Sequence, residues 1–168
     1  MYELAYGSTD EVEVALKEKY RFSNKICIPR TIKVGDKEYK VVSILGTQLA
    51  SSMDGEKNDF NNNNRLTHVF VEGTKNDTAV LRTLANSAFI NDTKLAHMDI
   101  PNTLVSIGNS CFENDYWLKI VDFKNVSTFG QNAMYYTGVG DLVTSNTSAS
   151  GFVPPDSVYI TGNFLNNT

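Results

Sequence analysis

Cysteine and histidine are the residues of this sequence with the widest chemistry, and the chain has two of each. A cysteine acts as a nucleophile only beside a base and an oxyanion donor, and no such constellation accompanies Cys27 or Cys111. The two could instead form a disulfide, but the repeat pattern described below places them at least two coils apart. At about 4.8 Å per stacked strand, that separation exceeds the roughly 7 Å limit between bridged Cα atoms. The sequence therefore predicts two buried thiols, no disulfide and no catalytic cysteine.

The two histidines suggest a metal site only at first sight. His68 and His97 occupy the same position in successive predicted strands, so they should be neighbours on one face of a sheet, where two imidazoles about 5 Å apart could hold an ion. Ile120 follows at the position where a third ligand would be needed. Residues 54–59 (DGEKND) resemble a calcium loop, but Asp59 stands where the turn glycine belongs. We predict no metal and no other cofactor, and a histidine pair that faces solvent or a partner.

A repeated pattern must position these residues. Residues 95–100 (LAHMDI) return as residues 118–123 (LKIVDF), each with leucine followed by apolar residues at the fourth and sixth places. The shift of 23 residues falls in the range of about 20–29 that is typical of leucine-rich repeats. Such a period predicts a solenoid, in which each coil stacks its apolar rows on the coil before it.

A second half-motif supports the same register. It has an apolar residue, then Ser or Thr two places on, then another apolar residue, and a large apolar residue five places further along. Four segments share it: residues 41–49 (VVSILGTQL), 81–89 (LRTLANSAF), 104–112 (LVSIGNSCF) and 126–134 (VSTFGQNAM). The pattern predicts a polar ladder of Ser43, Thr83, Ser106 and Thr128, with Ile107, Phe112 and Leu118 in the core.

The first repeat is interrupted. Residues 51–64 (SSMDGEKNDFNNNN) contain an insertion of about eleven residues, counted from the regular spacing of the later repeats. We predict a surface loop there and a turn at residues 72–78, where glycine, asparagine and aspartate accumulate. Tyr116 and Trp117 lie in the connection between two half-motifs, and buried packing is the interpretation that we favour over an exposed contact site.

The segment of residues 100–112 (IPNTLVSIGNSCF) resembles the core of BspA-type leucine-rich repeats, the bacterial surface-antigen class. The resemblance spans about residues 26–142, although Gln48, Leu49, Ala85 and Met134 depart from its pattern. It implies a protein that is extracellular or on the cell surface and binds proteins or matrix.

The chain ends predict caps. Alternating apolar residues in 2–6 and 12–16 flank a turn and indicate a hairpin, and residues 31–42 indicate a second. We predict a single domain over residues 1–168, with an N-terminal cap at 1–40, repeats at 41–142 and a C-terminal cap or truncated end at 143–168. Residues 1–20 carry five acidic residues and no long apolar run, so no secretory signal is predicted there.

Composition narrows the choice of partner. The formal net charge is −4, without a basic run, which argues against nucleic acid because phosphate binding needs clustered Lys and Arg. No apolar stretch approaches the roughly 18 residues of a membrane helix, so no membrane insertion is expected.

These observations predict a mostly β, right-handed leucine-rich-repeat solenoid of about four coils and no enzyme. The predicted function is protein binding by a surface or adhesin-like module; the alternative is a structural component of a larger assembly such as a phage virion. Strand alternation turns one row of side chains outward and predicts the binding surface. Its residues are His68, Phe70, His97, Asp99, Ile120 and Asp122.

Overall fold

Short strands in two sheets make up most of the regular structure. The computed structural model describes residues 2–7, 10–16, 23–44, 63–120, 122–138 and 159–160. Within these residues the strands, in chain order, are β1 (Tyr2–Gly7), β2 (Glu11–Leu16), β3 (Lys25–Ile28), β4 (Thr31–Val34), β5 (Lys37–Ile44), β6 (His68–Val71), β7 (Thr83–Leu84), β8 (His97–Met98), β9 (Ser106–Ile107), β10 (Thr128–Phe129) and β11 (Tyr159–Ile160). A short 3-10 helix covers Thr74–Asn76, and none of the described helices is long and apolar enough to cross a membrane.

The larger sheet carries the second half-motif. Its strands follow the order β1, β2, β5, β7, β9, β10, β11, and β4 pairs with β5. In this sheet β5, β7, β9 and β10 run parallel. Their register places the residues of the predicted polar ladder side by side: Ser43, Thr83, Ser106 and Thr128. The solenoid architecture and the register of its repeats are therefore confirmed.

The smaller sheet carries the first half-motif. It has the order β3, β6, β8, with parallel pairing throughout. Along β6 the burial alternates, because Val69 and Val71 point into the core while His68 and Phe70 point away from it. β3 comes from the segment that the sequence places in the cap, and it pairs with β6 as the first strand of this sheet.

The core lies between the two sheets and the turns that join them. Phe89 and Phe112 are fully buried, and their rings stack with centroids 5.4 Å apart. Leu118 and Ile107 are buried as well, so the predicted core residues are confirmed. The small residues that precede the large apolar position, Ala88, Cys111 and Ala133, each have 0% exposure, because a larger side chain would have no room between stacked coils.

Successive coils approach each other closely at two glycines. A Cβ added to Gly130 would lie 2.3 Å from the backbone N of Asn109, and one added to Gly108 would lie 2.6 Å from the backbone N of Asn86. At the same level Asn109 N donates to Asn86 Oδ1 at 2.8 Å, and Gln131 N donates to Asn109 Oδ1 at 2.8 Å. The absence of a side chain therefore lets each coil bond to the coil before it.

Both predicted hairpins form. β1 and β2 pair antiparallel, as do β4 and β5, and β2 adds to the larger sheet by parallel pairing with β5. Arg82 makes two hydrogen bonds to the Glu11 carboxylate, which lower the pKa of Glu11 and link the hairpin to a repeat. At the other end, β11 pairs with β10. The predicted loop at 51–64, apart from its last two residues, and the rest of 143–168 lie outside the described residues.

Candidate functional site

Three rings on the outer face of the smaller sheet form the centre of the predicted surface. His68 and Phe70 lie on β6, His97 lies on β8, and backbone pairing sets His68 beside His97. The ring centroids are 5.9 Å apart for His68 and Phe70, 5.8 Å for the two histidines, and 5.7 Å for Phe70 and His97. Phe70 leaves 37% of its surface exposed. We call His68, Phe70 and His97 the ring cluster.

Asp99 holds the ring cluster in place. Its Oδ1 lies 3.0 Å from His97 Nε2, and its Oδ2 accepts a hydrogen bond from Val71 N at 3.0 Å. Its side chain is only 18% exposed, so Asp99 is less exposed than strand alternation predicts. The carboxylate joins the end of β8 to β6 and fixes the orientation of the His97 ring.

The third copy of the pattern departs from the prediction. Ile120, expected to point outward, is only 4% exposed, so its placement on the binding surface is wrong. No strand covers residues 118–120, and without the strand geometry of β6 and β8 the isoleucine turns inward. Full burial of such a side chain stabilises the fold by about 1.5–3 kcal/mol, whereas the equivalent His68 and His97 gain less from burial.

Asp122 does face outward. Its Oδ2 lies 2.9 Å from Lys124 Nζ and its Oδ1 accepts a hydrogen bond from Lys124 N at 2.8 Å. The Lys124 ammonium and its hydrogen bond lower the pKa of Asp122. The predicted surface is therefore two strands wide at the ring cluster, with Asp122 as a separate exposed carboxylate.

The histidine pair offers little to a metal ion. His68 Nδ1 lies 2.9 Å from Thr67 Oγ1, and His97 Nε2 faces Asp99, so one nitrogen of each ring already has a partner. Within the part of the chain that the structure describes, no group of three or more His, Cys, Asp and Glu side chains is arranged to hold a metal.

Both cysteines carry thiols rather than a disulfide, as predicted. Cys111 is buried, but Cys27 is exposed, so the prediction of a buried thiol is wrong for Cys27. Cys27 sits on an outward position of β3, opposite Phe70. Complete burial raises the pKa of the Cys111 thiol, and partial desolvation raises that of Cys27, where the charges of Glu72 and Asp99 add to the effect. A nucleophilic cysteine needs the opposite shift, because the thiolate is the reactive form.

The structure also exposes two aromatic residues that the sequence interpretation favours as buried. Tyr116 is 53% and Trp117 is 67% exposed, so that interpretation is wrong. Trp117 directly precedes the core residue Leu118, and the residues in the same place in the two preceding coils, Arg65 and Lys94, are exposed as well. Comparison of these three positions was the signal that could have predicted exposure.

The structure contains a buried polar row that was not predicted from the sequence. Its members each lie three residues before a core leucine: Asn63, Asp92 and Asp115. Asp92 Oδ1 accepts a hydrogen bond from Asn63 N at 2.7 Å, and Asp115 Oδ1 accepts one from Asp92 N at 2.8 Å. Burial raises the pKa of both aspartates well above the usual range, and the Asp92 charge raises that of Asp115 further. We call these three residues the buried ladder.

The ladder has no route to a substrate. Asp92 and Asp115 are 0% exposed, and the second oxygen of each carboxyl group has no hydrogen-bond partner. Its role in the described structure is to join coils through their backbone N–H groups. The ring cluster, in contrast, lies at the surface, where Phe70 is 37% exposed.

Comparisons with known proteins agree with this architecture. The family model described as "BspA type Leucine rich repeat region" matches residues 56–150 in six copies. A leucine-rich repeat protein from Bacteroides ovatus ATCC 8483 aligns over 96% of this chain with a TM-score of 0.63 and 19% identity. The T. pallidum leucine-rich repeat protein TpLRR aligns over 96% with a TM-score of 0.63 and 21% identity. The chain spans 35% and 61% of the lengths of these two proteins. No curated protein matches it.

Proposed function

Because the chain belongs to the BspA-type leucine-rich repeat family, we propose that it is a non-enzymatic module that binds a protein partner through the ring cluster. The observation that carries this proposal is the packing of His68, Phe70 and His97 on the outer face of a sheet, with centroids 5.7–5.9 Å apart. Family membership supports a protein-binding or surface role, and the ring cluster supports its location on this chain.

The chemistry of the cluster suits a protein interface. Aromatic residues are enriched in the buried centre of such interfaces, where large, rigid rings lose little entropy on binding. The Phe70 ring contacts both imidazoles, and Asp99 fixes one of them. A partner side chain would therefore meet a preorganised surface, which lowers the entropic cost of association.

We further propose that the protein is displayed at the cell surface. We also propose that the whole chain forms one domain, with the cap and repeat boundaries given above. The family supports the surface location. Assembly into a phage virion, the alternative from the sequence, gains no support from the family match or from the two similar structures.

Peptides selected from a random phage-displayed library against the wild-type protein test the ring cluster. Their dissociation constants are measured on wild type, on Phe70→Ser/His97→Ser, and on a control with two exposed apolar residues changed elsewhere, Val34→Ser/Tyr136→Ser. Loss of an aromatic anchor costs about 2 kcal/mol or more, so we expect Kd to rise by about 30-fold or more for the first variant only. Circular dichroism verifies that each variant is folded.

Selected peptides that bind the folded Phe70→Ser/His97→Ser protein as tightly as wild type would place the interface elsewhere. Residues 51–64 are then the next candidate. Loss of binding in the control variant alone would point to the surface near Val34 or Tyr136.

A further inference from the structure

An open groove next to the smaller sheet is lined by positive charge. Its volume is about 600 Å³, and its lining residues are Ser23, Asn24, Lys25, Arg65, Thr67 and Lys94. Three of these described side chains are cationic and none is anionic, although the whole chain has a formal net charge of −4. We call it the basic groove.

The repeat builds the groove by stacking equivalent positions. Arg65 and Lys94 directly precede the buried leucines of successive coils, so they fall one above the other on the outside of the turn. Asn24 O accepts hydrogen bonds from Thr67 N and from Thr67 Oγ1, both at 2.8 Å. These bonds fix the segment that enters β3 and place Lys25 at the same edge.

The groove suits carboxylates. Lys25 and Lys94 place two like charges at one depression, and an anion that enters is attracted by both. The serine, threonine and asparagine at the walls supply hydrogen-bond donors of the kind that charged oxygens accept. Nucleic acid is a poor fit, because three cations on an acidic chain do not form the extended basic stripe that a phosphate backbone needs.

The basic groove is continuous with the ring cluster. Lys25 pairs in register with His68, and Thr67 Oγ1, on the groove wall, lies 2.9 Å from His68 Nδ1. On the other side, Trp117 takes the position of Arg65 and Lys94 in the next coil and is 67% exposed. Cationic and aromatic surfaces thus alternate along one edge of the molecule.

We propose that the basic groove receives the carboxylates of an acidic segment, rich in Asp or Glu, of the protein partner. The inference rests on the proposed function, since the same partner would place an apolar residue on the ring cluster. The acidic segment sets specificity and speeds association, because charges at the rim of an interface act mainly on encounter rates.

Hexaglutamate is the probe, with hexaglutamine as the neutral control. Isothermal titration calorimetry measures Kd at about 50 mM and about 200 mM salt, where screening differs, and the fluorescence of Trp117, the only tryptophan, reports occupation of the adjacent surface. We expect hexaglutamate to bind and hexaglutamine not to bind. Lys25→Gln/Lys94→Gln should raise Kd by about 3- to 30-fold, while Lys33→Gln/Lys75→Gln, which removes the same charge from exposed sites outside the groove, should leave it within about twofold.

A heparin-derived hexasaccharide tests whether the groove binds a sulfated glycan instead of the carboxylates of a protein. Binding of the glycan through Lys25 and Lys94 without binding of hexaglutamate overturns the proposal, as does equal hexaglutamate affinity of the two lysine variants or no binding at all. These failures differ from failure of the proposed function. Library peptides that still require Phe70 would keep the ring cluster as the interface even when the groove takes no acidic peptide.

Discussion

The buried ladder predicts an unusual dependence of stability on pH. In most proteins, carboxylates are stabilised in the folded state, and acid destabilises the fold. Here, Asp92 and Asp115 have raised pKa values because burial penalises their charged forms. Both groups therefore prefer the protonated state when the chain is folded.

The sign follows from proton binding. Between the unfolded pKa of aspartate, about 3.9, and the raised folded pKa, the folded chain holds a proton that the unfolded chain has released. Each such group lowers the free energy of unfolding by about 1.4 kcal/mol per pH unit, and the two together by at most about 2.7 kcal/mol per unit. The stabilisation that these protons provide is fully present below about pH 3.9 and is lost as pH rises through the folded pKa. Above the folded pKa, the free energy of unfolding no longer changes with pH because of these groups.

The double variant Asp92→Asn/Asp115→Asn isolates this effect. Asparagine keeps Oδ1 as the acceptor for the N–H groups of Asn63 and Asp92, and its amide resembles the protonated carboxyl group in shape. Urea denaturation followed by circular dichroism gives the free energy of unfolding from about pH 4 to about pH 9. The contributions of surface groups such as Glu11 cancel in the difference between wild type and variant.

We expect wild type to lose stability relative to the variant as pH rises. A control with two exposed aspartates changed, Asp36→Asn/Asp77→Asn, should show no such trend. A difference between wild type and Asp92→Asn/Asp115→Asn that is flat over the whole range, or that grows in favour of wild type with rising pH, would refute the raised pKa values and the protonated ladder.

Two further predictions concern the core and the thiols. Phe112→Ala should lower the free energy of unfolding by about 3–5 kcal/mol, because it leaves a cavity against Phe89, and a loss below about 1 kcal/mol in urea denaturation would contradict the register. Without reductant, a thiol reagent should titrate Cys27 in the native protein and both Cys27 and Cys111 after denaturation; finding no thiol in the denatured monomer would contradict the separation of the two coils.

The sequence predicted the repeat register well because stacking enforces it. The hydroxyl row that contains Thr83 and Ser106 lies in one register, and the inward Phe112 meets its counterpart in the previous coil. A change of one residue in register would expose every apolar side chain of a strand, so few alternatives compete. The two hairpins were equally predictable from the sequence, because segments of alternating apolar residues flank turn-forming residues.

Local strand geometry was harder to predict. The prediction that Ile120 points outward assumed that residues 118–123 repeat the strand geometry of β6 and β8. Burial of an isoleucine side chain, however, stabilises the fold more than burial of a histidine side chain does. The sequence showed this difference in side-chain type, yet only the structure shows that no strand covers residues 118–120. The exposed Cys27 was missed for a related reason, because its segment proved to be a strand of the smaller sheet.

The position before each core leucine shows why surface function resists the same logic. Leu66, Leu95 and Leu118 are all 0% exposed, since packing allows only a side chain of that size and polarity at each coil. Their preceding neighbours face water, where packing imposes no such limit, and they are in turn arginine, lysine and tryptophan. The repeat therefore decides where these three side chains stand, next to one another on one edge, while their chemistry remains open to a partner. Stacking of the coils thus gives two cations and an exposed indole equivalent positions in three successive coils, although they lie far apart in the sequence.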